Sequence, residues 1–168
     1  MEVVKAATDL GFWIFGGYVR DVIIRNETTF KDIDIGCSHE QSYLIPKFLE
    51  SLEGPVKKTF DTIDKYGYQH PSFNSVHRVL TFRTPKYTID IIIFKTFKDF
   101  FEQPLEEIGF STDVFLLTKD GLFARHNLIE YIELTQKKKF KVISSNTRYE
   151  RRRESYINRG WIEVMGEF

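Results

Sequence analysis

Gly16-Gly17-Tyr18-Val19-Arg20-Asp21, with Asp32-Ile33-Asp34 starting eleven residues after Asp21, is the stretch that decides the fold. A compact apolar run, residues 12–15, leads into the glycine pair, so the chain reads as strand, glycine turn, helix. Glycines let backbone come close to a bulky anion, and a helix opening behind them offers free N–H groups and a favourable dipole. Asp32 and Asp34 alternate with Ile33 and Ile35, the period of a half-buried strand. Both carboxylates then share one face, roughly 6–7 Å apart along the strand. Two divalent ions about 3.5–4 Å apart are within reach of such a pair, given a third carboxylate. Asp90 is the candidate third group, since it stands in the apolar run Ile89-Asp90-Ile91-Ile92-Ile93-Phe94. A carboxylate there is costly to bury unless paired or metal-bound, and a strand after a hairpin can bring it to face the other two.

Outward from this centre the chain reads as mixed α/β. Residues 2–10 suggest a short helix, 12–15 a strand, and 18–25 a helix with Val19, Val22 and Ile23 on its apolar face. Residues 43–52 repeat apolar side chains at helical spacing and end at Gly54-Pro55. Residues 76–83 and 87–94 read as strands of a hairpin around Thr84-Pro85-Lys86. Residues 114–118 and 122–124 flank Lys119-Asp120-Gly121 as a second hairpin. Residues 126–135 and 146–159 read as helices, the latter with a Ser/Asn cap and Gly160 just past its end.

The 168 residues suit one domain with a small appendage, and 16 Phe and 8 Tyr suit a packed core without disulfides. The single Cys37 excludes an intramolecular disulfide and gives no zinc pattern, which points to a reducing, cytoplasmic setting. No leader pattern and no membrane-length apolar run are seen, so a membrane partner is not expected. Net charge is zero but unevenly spread: residues 1–136 hold 15 Lys/Arg against 20 Asp/Glu, and residues 137–159 hold nine against two. An acidic body joined to a basic segment fits a polyanionic ligand, a triphosphate or a nucleic acid. The sign change near residues 136–145 is the one candidate boundary, giving a body at 1–136 and a basic helical segment at 137–168 that completes the cleft.

The glycine stretch and Lys31-Asp32-Ile33-Asp34-Ile35 together resemble the head domain of the tRNA nucleotidyltransferase (CCA-adding) and bacterial poly(A) polymerase family. That family lies within the polymerase-β-like nucleotidyltransferase superfamily. The resemblance implies an α/β (α+β) palm, a small mixed sheet with helices on one face, here extended by a C-terminal basic helix. It implies two magnesium ions, with manganese as an alternative, and transfer of a nucleoside monophosphate from NTP to a hydroxyl, an RNA 3′ end in that family. By position, Gly16 and Gly17 would contact the triphosphate with Arg20 and Asp21 in support, and Asp32, Asp34 and Asp90 would be the metal-binding, catalytic carboxylates.

The sequence also departs from that family. Its Arg-Arg-Asp-Phe-Thr-x-Asn motif has as its nearest equivalent Glu107-Ile108-Gly109-Phe110-Ser111-Thr112-Asp113, which lacks both arginines and carries Asp113 for Asn. Ser111 and Thr112 are the residues left to hydrogen-bond a nucleotide sugar. The family's Glu-Asp-x-x-Arg template and tRNA-gripping body are not seen. Arg148, Arg152, Tyr156 and Arg159 fall on one helical stripe and offer a replacement, facing either the nucleotide or an acceptor's backbone, or else solvent. Trp161 reads as an anchor for that helix end. The four histidines are scattered without ligand spacing, and His70 lies in an aromatic loop, residues 66–72. Transfer to a protein or small molecule, and a non-catalytic nucleotide-binding module, remain open alternatives.

Overall fold

In a computed structural model of the chain, residues 2–66, 75–144 and 146–165 are described. His70 and most of its loop lie outside the described residues. The chain begins with α1 (Glu2–Asp9), β1 (Trp13–Phe15), a single wide turn of π-type helix (Val19–Ile24) and β2 (Asp32–Ser38). A short 3₁₀ turn leads into α2 (Ile45–Glu50), followed by β3 (Lys57–Asp61), α3 (Thr62–Tyr66), β4 (Val76–Arg83) and β5 (Thr88–Phe94). Next come α4 (Phe97–Phe101), α5 (Leu105–Ile108), β6 (Phe115–Thr118), β7 (Gly121–Ala124) and α6 (Leu128–Gln136). The chain closes with β8 (Lys139–Phe140), α7 (Glu150–Asn158) and β9 (Ile162–Glu163).

Seven strands form a mixed sheet in the order β3-β4-β5-β2-β1-β6-β7. β2 and β5 run parallel at its centre, and the neighbours on either side pair antiparallel. Strand alternation sorts the side chains. Ile14, Ile33, Ile35, Ile89, Ile91 and Ile93 point to one face and are buried with α1, α2, α6 and the π turn. Each such side chain contributes about 1.5–3 kcal/mol when taken from water. A one-residue slip of β2 or β5 would exchange those isoleucines for aspartates in the core, so the register is strongly specified. The opposite face is covered at one end by α4, whose Phe100 packs with Trp13, Phe94 and Leu116. Asp32, Asp34 and Asp90 lie along the uncovered part.

The expected helix at residues 18–25 is a π turn, in which the Arg25 N–H reaches back five residues to the Arg20 carbonyl. β3 was not anticipated from the sequence, because Lys57-Lys58-Thr59-Phe60-Asp61 is polar and lacks clean alternation. It is an edge strand, bulged between Lys58 and Phe60, and edge lysines are a common device against stray pairing. The basic segment folds back onto the body. β8 and β9 pair in parallel on either side of α7, and Phe110, Phe140, Tyr156 and Trp161 form a second aromatic cluster. No helix among the described residues is long and apolar enough to cross a membrane.

A half-buried ion pair, its carboxylate inside, ties the β3 edge to the sheet. The Asp61 carboxylate accepts from two Arg78 nitrogens, Nε and Nη2, from the Ile63 N–H and from Lys58 Nζ. Arg78 above all holds its pKa well below the usual carboxylate range. A depressed carboxylate pKa adds stability that is full above about pH 4 and lost as pH falls below it. Asp61→Asn is therefore expected to cost about 2 kcal/mol at pH 7. The gap to wild type should narrow steadily below about pH 4 in urea melts; a gap independent of pH would refute this role.

Candidate nucleotide and metal site

The parallel pairing of β2 with β5 sets Asp34 directly beside Asp90, while Asp32 stands beside Thr88. Neighbouring strands lie about 4.8 Å apart, so the Asp34 and Asp90 carboxylates begin from adjacent Cα positions on the open face. On the other side of β5, Thr81 is paired with Asp90, and its Oγ1 donates to Asp90 Oδ1 at 2.6 Å. Sequence reasoning missed Thr81, although a two-residue Pro85-Lys86 turn, once accepted, counts back to this pairing. On the far side of β2, Phe15 pairs with Asp34, which brings the following glycine turn to the same carboxylate. Gly16 has φ +71°, and a Cβ placed there would stand 2.2 Å from Asp34 Oδ2. Gly16 thus serves both a left-handed backbone and close contact with Asp34.

Burial, then the charges of Asp90 and Asp32, push Asp34 up to about 7, against the opposing pull of Arg152. Such a concentration of hard oxygen donors is the chemistry of a magnesium or manganese site. Among the described residues, no group of three or more His, Cys, Asp or Glu side chains converges closely enough to hold a metal ion alone. Magnesium is commonly held by one or two carboxylates together with substrate phosphates. Asp34, with Asp90 or Asp32, fits that requirement in donor type and in like-charge excess.

Arg20 and Asp21 are brought to the glycine turn from behind. The guanidinium is buried and forms a fork to the Asp21 carboxylate, Nε to Oδ1 and Nη2 to Oδ2, both 2.7 Å. Burial alone would lower its pKa, but Asp21 and Tyr156 more than offset this and hold it above the ordinary value. A Cβ on Gly17 would stand 3.2 Å from Arg20 Nη2, so this ion pair lies against the turn.

Ser111 and Thr112 do not open onto the cleft as expected. Both are buried: Ser111 Oγ accepts the Lys141 N–H at 2.8 Å, and Thr112 Oγ1 bonds the Tyr156 hydroxyl at 2.7 Å. Their hydroxyls fasten the C-terminal segment to the body. The C-terminal stripe is divided in the same way. Tyr156 is 1% exposed and packs among Phe110, Phe140 and Trp161, so its phenol is no part of a phosphate-binding surface. Trp161 is the anchor expected of it, with Arg25 over its ring. Arg148 lies over Tyr149 and bonds its hydroxyl, and Arg159 lies over the Tyr156 ring, so neither is brought to Asp34 by the contacts it makes.

Of the stripe arginines, Arg152 is the one whose charge acts on Asp34. It donates to Asp113 Oδ1 at 3.0 Å and lowers the pKa of Asp34. Burial raises Asp113 above the usual carboxylate range despite Arg152, Arg20 and Arg125 nearby. Arg125 donates to the Asp113 carbonyl at 2.8 Å, fixing the backbone there. Asp113 was visible in the sequence only as a departure from a motif; its partner Arg152 is thirty-nine residues on and shares no local pattern with it.

The raised pKa of Asp34 has a consequence for stability. Its carboxylate titrates near 4 when unfolded and near 7 when folded, so the folded state binds the extra proton between those values. The charged group therefore costs stability above about pH 7, and the cost fades as pH falls to about 4. Asp34→Asn should raise the melting midpoint at pH 8 in chelator by roughly 5 °C, with no gain left near pH 4. A midpoint lowered at pH 8 would count against the site as described.

No protein-family model matches the chain, and comparison with curated proteins finds no match. Solved structures do resemble it. The Thermotoga maritima CCA-adding enzyme complexed with tRNA aligns over 97% of this chain and 38% of that one, at 16% identity and TM-score 0.57. A CCA-adding enzyme with CTP aligns over the same shares at 15% identity and TM-score 0.54. A CCA-adding enzyme with ATP aligns over 84% and 32%, at 16% identity and TM-score 0.51. The chain spans about a third of the length of these structures, and what it shares with them is the fold.

Proposed function

We propose that this chain is a minimal metal-dependent nucleotidyltransferase that transfers a nucleoside monophosphate from NTP to a hydroxyl, a tRNA-like RNA 3′ end, releasing pyrophosphate. The observation that carries this reading is the register of Asp34 beside Asp90, with the Gly16 turn closed onto the Asp34 carboxylate. The shared fold with CCA-adding enzymes supports it.

Asp32, Asp34 and Asp90 would hold magnesium or manganese together with the triphosphate. A divalent ion bound there supplies charge neutralisation on the phosphates and a lowered pKa for the acceptor hydroxyl. Gly16 and Gly17 present backbone to the triphosphate, and the Arg20–Asp21 pair holds that backbone in place. Thr81 fixes the rotamer of Asp90. Arg152, already next to Asp113 and close enough to act on Asp34, adds positive charge where the phosphates would lie. The acceptor oxygen bonds the α-phosphorus in line as the bond to the pyrophosphate oxygen breaks. The exposed cations of residues 137–159, Arg148 and Arg159 among them, provide an electrostatic surface for an RNA backbone.

The deciding experiment offers α-labelled ATP, CTP, GTP and UTP separately, with magnesium or manganese, to wild type and Asp34→Asn. Total RNA including tRNA, and a cell extract, serve as acceptors. Label on RNA 3′ ends that requires Asp34 is the expected result. Label on protein or a small molecule instead would replace the RNA acceptor, and NTP bound without turnover would indicate a binding module. Independently of activity, magnesium at pH 8 should raise the melting midpoint of wild type and leave Asp34→Asn unmoved.

Gly16→Ala should be severe for a geometric reason. The left-handed backbone at position 16 costs alanine about 1–2 kcal/mol, and the added Cβ displaces the Asp34 carboxylate. Transfer should fall on the order of 100-fold, the scale of an ångström's misplacement at a reacting centre. Gly17 has no left-handed backbone, and its added Cβ would stand 3.2 Å from Arg20 Nη2, a contact relieved by a shift of a few tenths of an ångström, so Gly17→Ala should be milder; equal losses at both positions would contradict the contact with Asp34.

A further inference from the structure

We propose that Tyr156 is a positioning residue for the nucleotide site: its hydroxyl, reaching from α7, holds the Arg20–Asp21 pair behind the Gly16–Gly17 turn, so that nucleotide affinity depends on how the C-terminal helix is docked. The inference rests on reading that turn as the triphosphate site.

The contact chain is short, buried at Tyr156 and Arg20 and half-buried at Asp21. Arg20 Nη1 donates to the Tyr156 hydroxyl at 2.7 Å, across 136 residues of sequence. The remaining fork of Arg20 is committed to Asp21, at 2.7 Å on each arm. Nη2, in that fork, is the atom lying against Gly17. The guanidinium therefore has two fixed ends, Asp21 on one side and Tyr156 on the other. A planar group held at both ends cannot pivot, and the turn that rests on it keeps its shape. The ring of Tyr156 also faces the guanidinium carbon, 5.3 Å from its centroid.

The phenol is built for this task. Burial keeps it neutral, with its pKa above the ordinary value, so it stays a hydroxyl able to accept from Arg20. Its second partner is Thr112 Oγ1, which fixes the direction of the lone pair offered to Arg20. Phe140 stacks on the ring at 5.0 Å, and Phe110 and Trp161 meet it edge-on, so the oxygen is held by a rigid cage. One turn earlier on the same helix, Arg152 bonds Asp113 and acts on Asp34. One rigid helix thus touches the support of the glycine turn and the surroundings of the carboxylates. Losing the phenolic oxygen would leave Nη1 buried without an acceptor and free the guanidinium to swing on Asp21.

The test compares Tyr156→Phe, which deletes only the oxygen, with Phe140→Leu, which loosens the same cage and leaves the oxygen in place. Two readouts are taken on the full chain: affinity for ATP or CTP with magnesium by calorimetry, and amide hydrogen exchange of residues 16–25 without nucleotide. Tyr156→Phe should weaken nucleotide binding about tenfold and speed exchange in 16–25, while Phe140→Leu changes affinity less than about twofold. In an Arg20→Lys background, Tyr156→Phe should add no further loss. Equal effects of the two variants, unchanged exchange in 16–25, or failure of Tyr156→Phe to fold would each overturn the proposal by making the hydroxyl merely structural. A wild type that binds no nucleotide would overturn the triphosphate reading instead, and the exchange comparison would still decide whether Tyr156 sets the turn.

Discussion

Two carboxylates held side by side on neighbouring parallel strands repel one another, and much of this molecule is arranged around keeping Asp34 and Asp90 together. The isoleucines between and beside them fix the register, because any slip would drive charge into the core. Thr81 satisfies Asp90 from one side, and the bare Cα of Gly16 lets Asp34 settle on the other. Arg152 adds compensating charge. The strain of the arrangement remains visible in Asp34, whose proton affinity is raised by burial and by its acidic neighbours. A fold selected only for stability gains nothing from such a pair, since like charges at close range weaken the folded state. Sites that must bind cations accept that cost.

The C-terminal segment works through two kinds of contact. Aromatic packing of Phe110, Phe140, Tyr156 and Trp161 supplies the adhesion, and a few polar contacts give it direction. Arg152 to Asp113, Tyr156 to Arg20 and Lys141 to Ser111 each join the basic segment to the body at a different point. Opposite net charge on the body and the basic segment favours their association but does not fix an orientation. The hydrogen bonds do that, because they require specific atoms to meet.

The departures from expectation share a cause. Ser111 and Thr112 look like sugar contacts when read beside a family motif, yet the chain turns their hydroxyls towards Lys141 and Tyr156. The arginine stripe looks uniform on a helical wheel, yet Tyr156 within it is buried, and Arg148 and Arg159 lean on aromatic rings. Helical periodicity says which residues share a side; it does not say which neighbour that side meets. β3 escaped notice because its polar residues are held as a strand by pairing with β4 and by the Asp61–Arg78 bridge, neither of which is local.

What the sequence determined by itself was the local grammar of the site: a strand that ends in glycines, alternating aspartates on a second strand, and an aspartate isolated among isoleucines on a third. Each of those signals is carried by residues within one element, where period and turn chemistry decide the outcome. The hairpin turn even contains enough information to place Thr81 against Asp90. Only the tertiary structure decided that Asp34 would rest on Gly16, that Arg152 would meet Asp113, and that a phenol 136 residues away would brace Arg20. Those contacts depend on how elements pack, and packing follows from the shape of the whole core rather than from any stretch of chain.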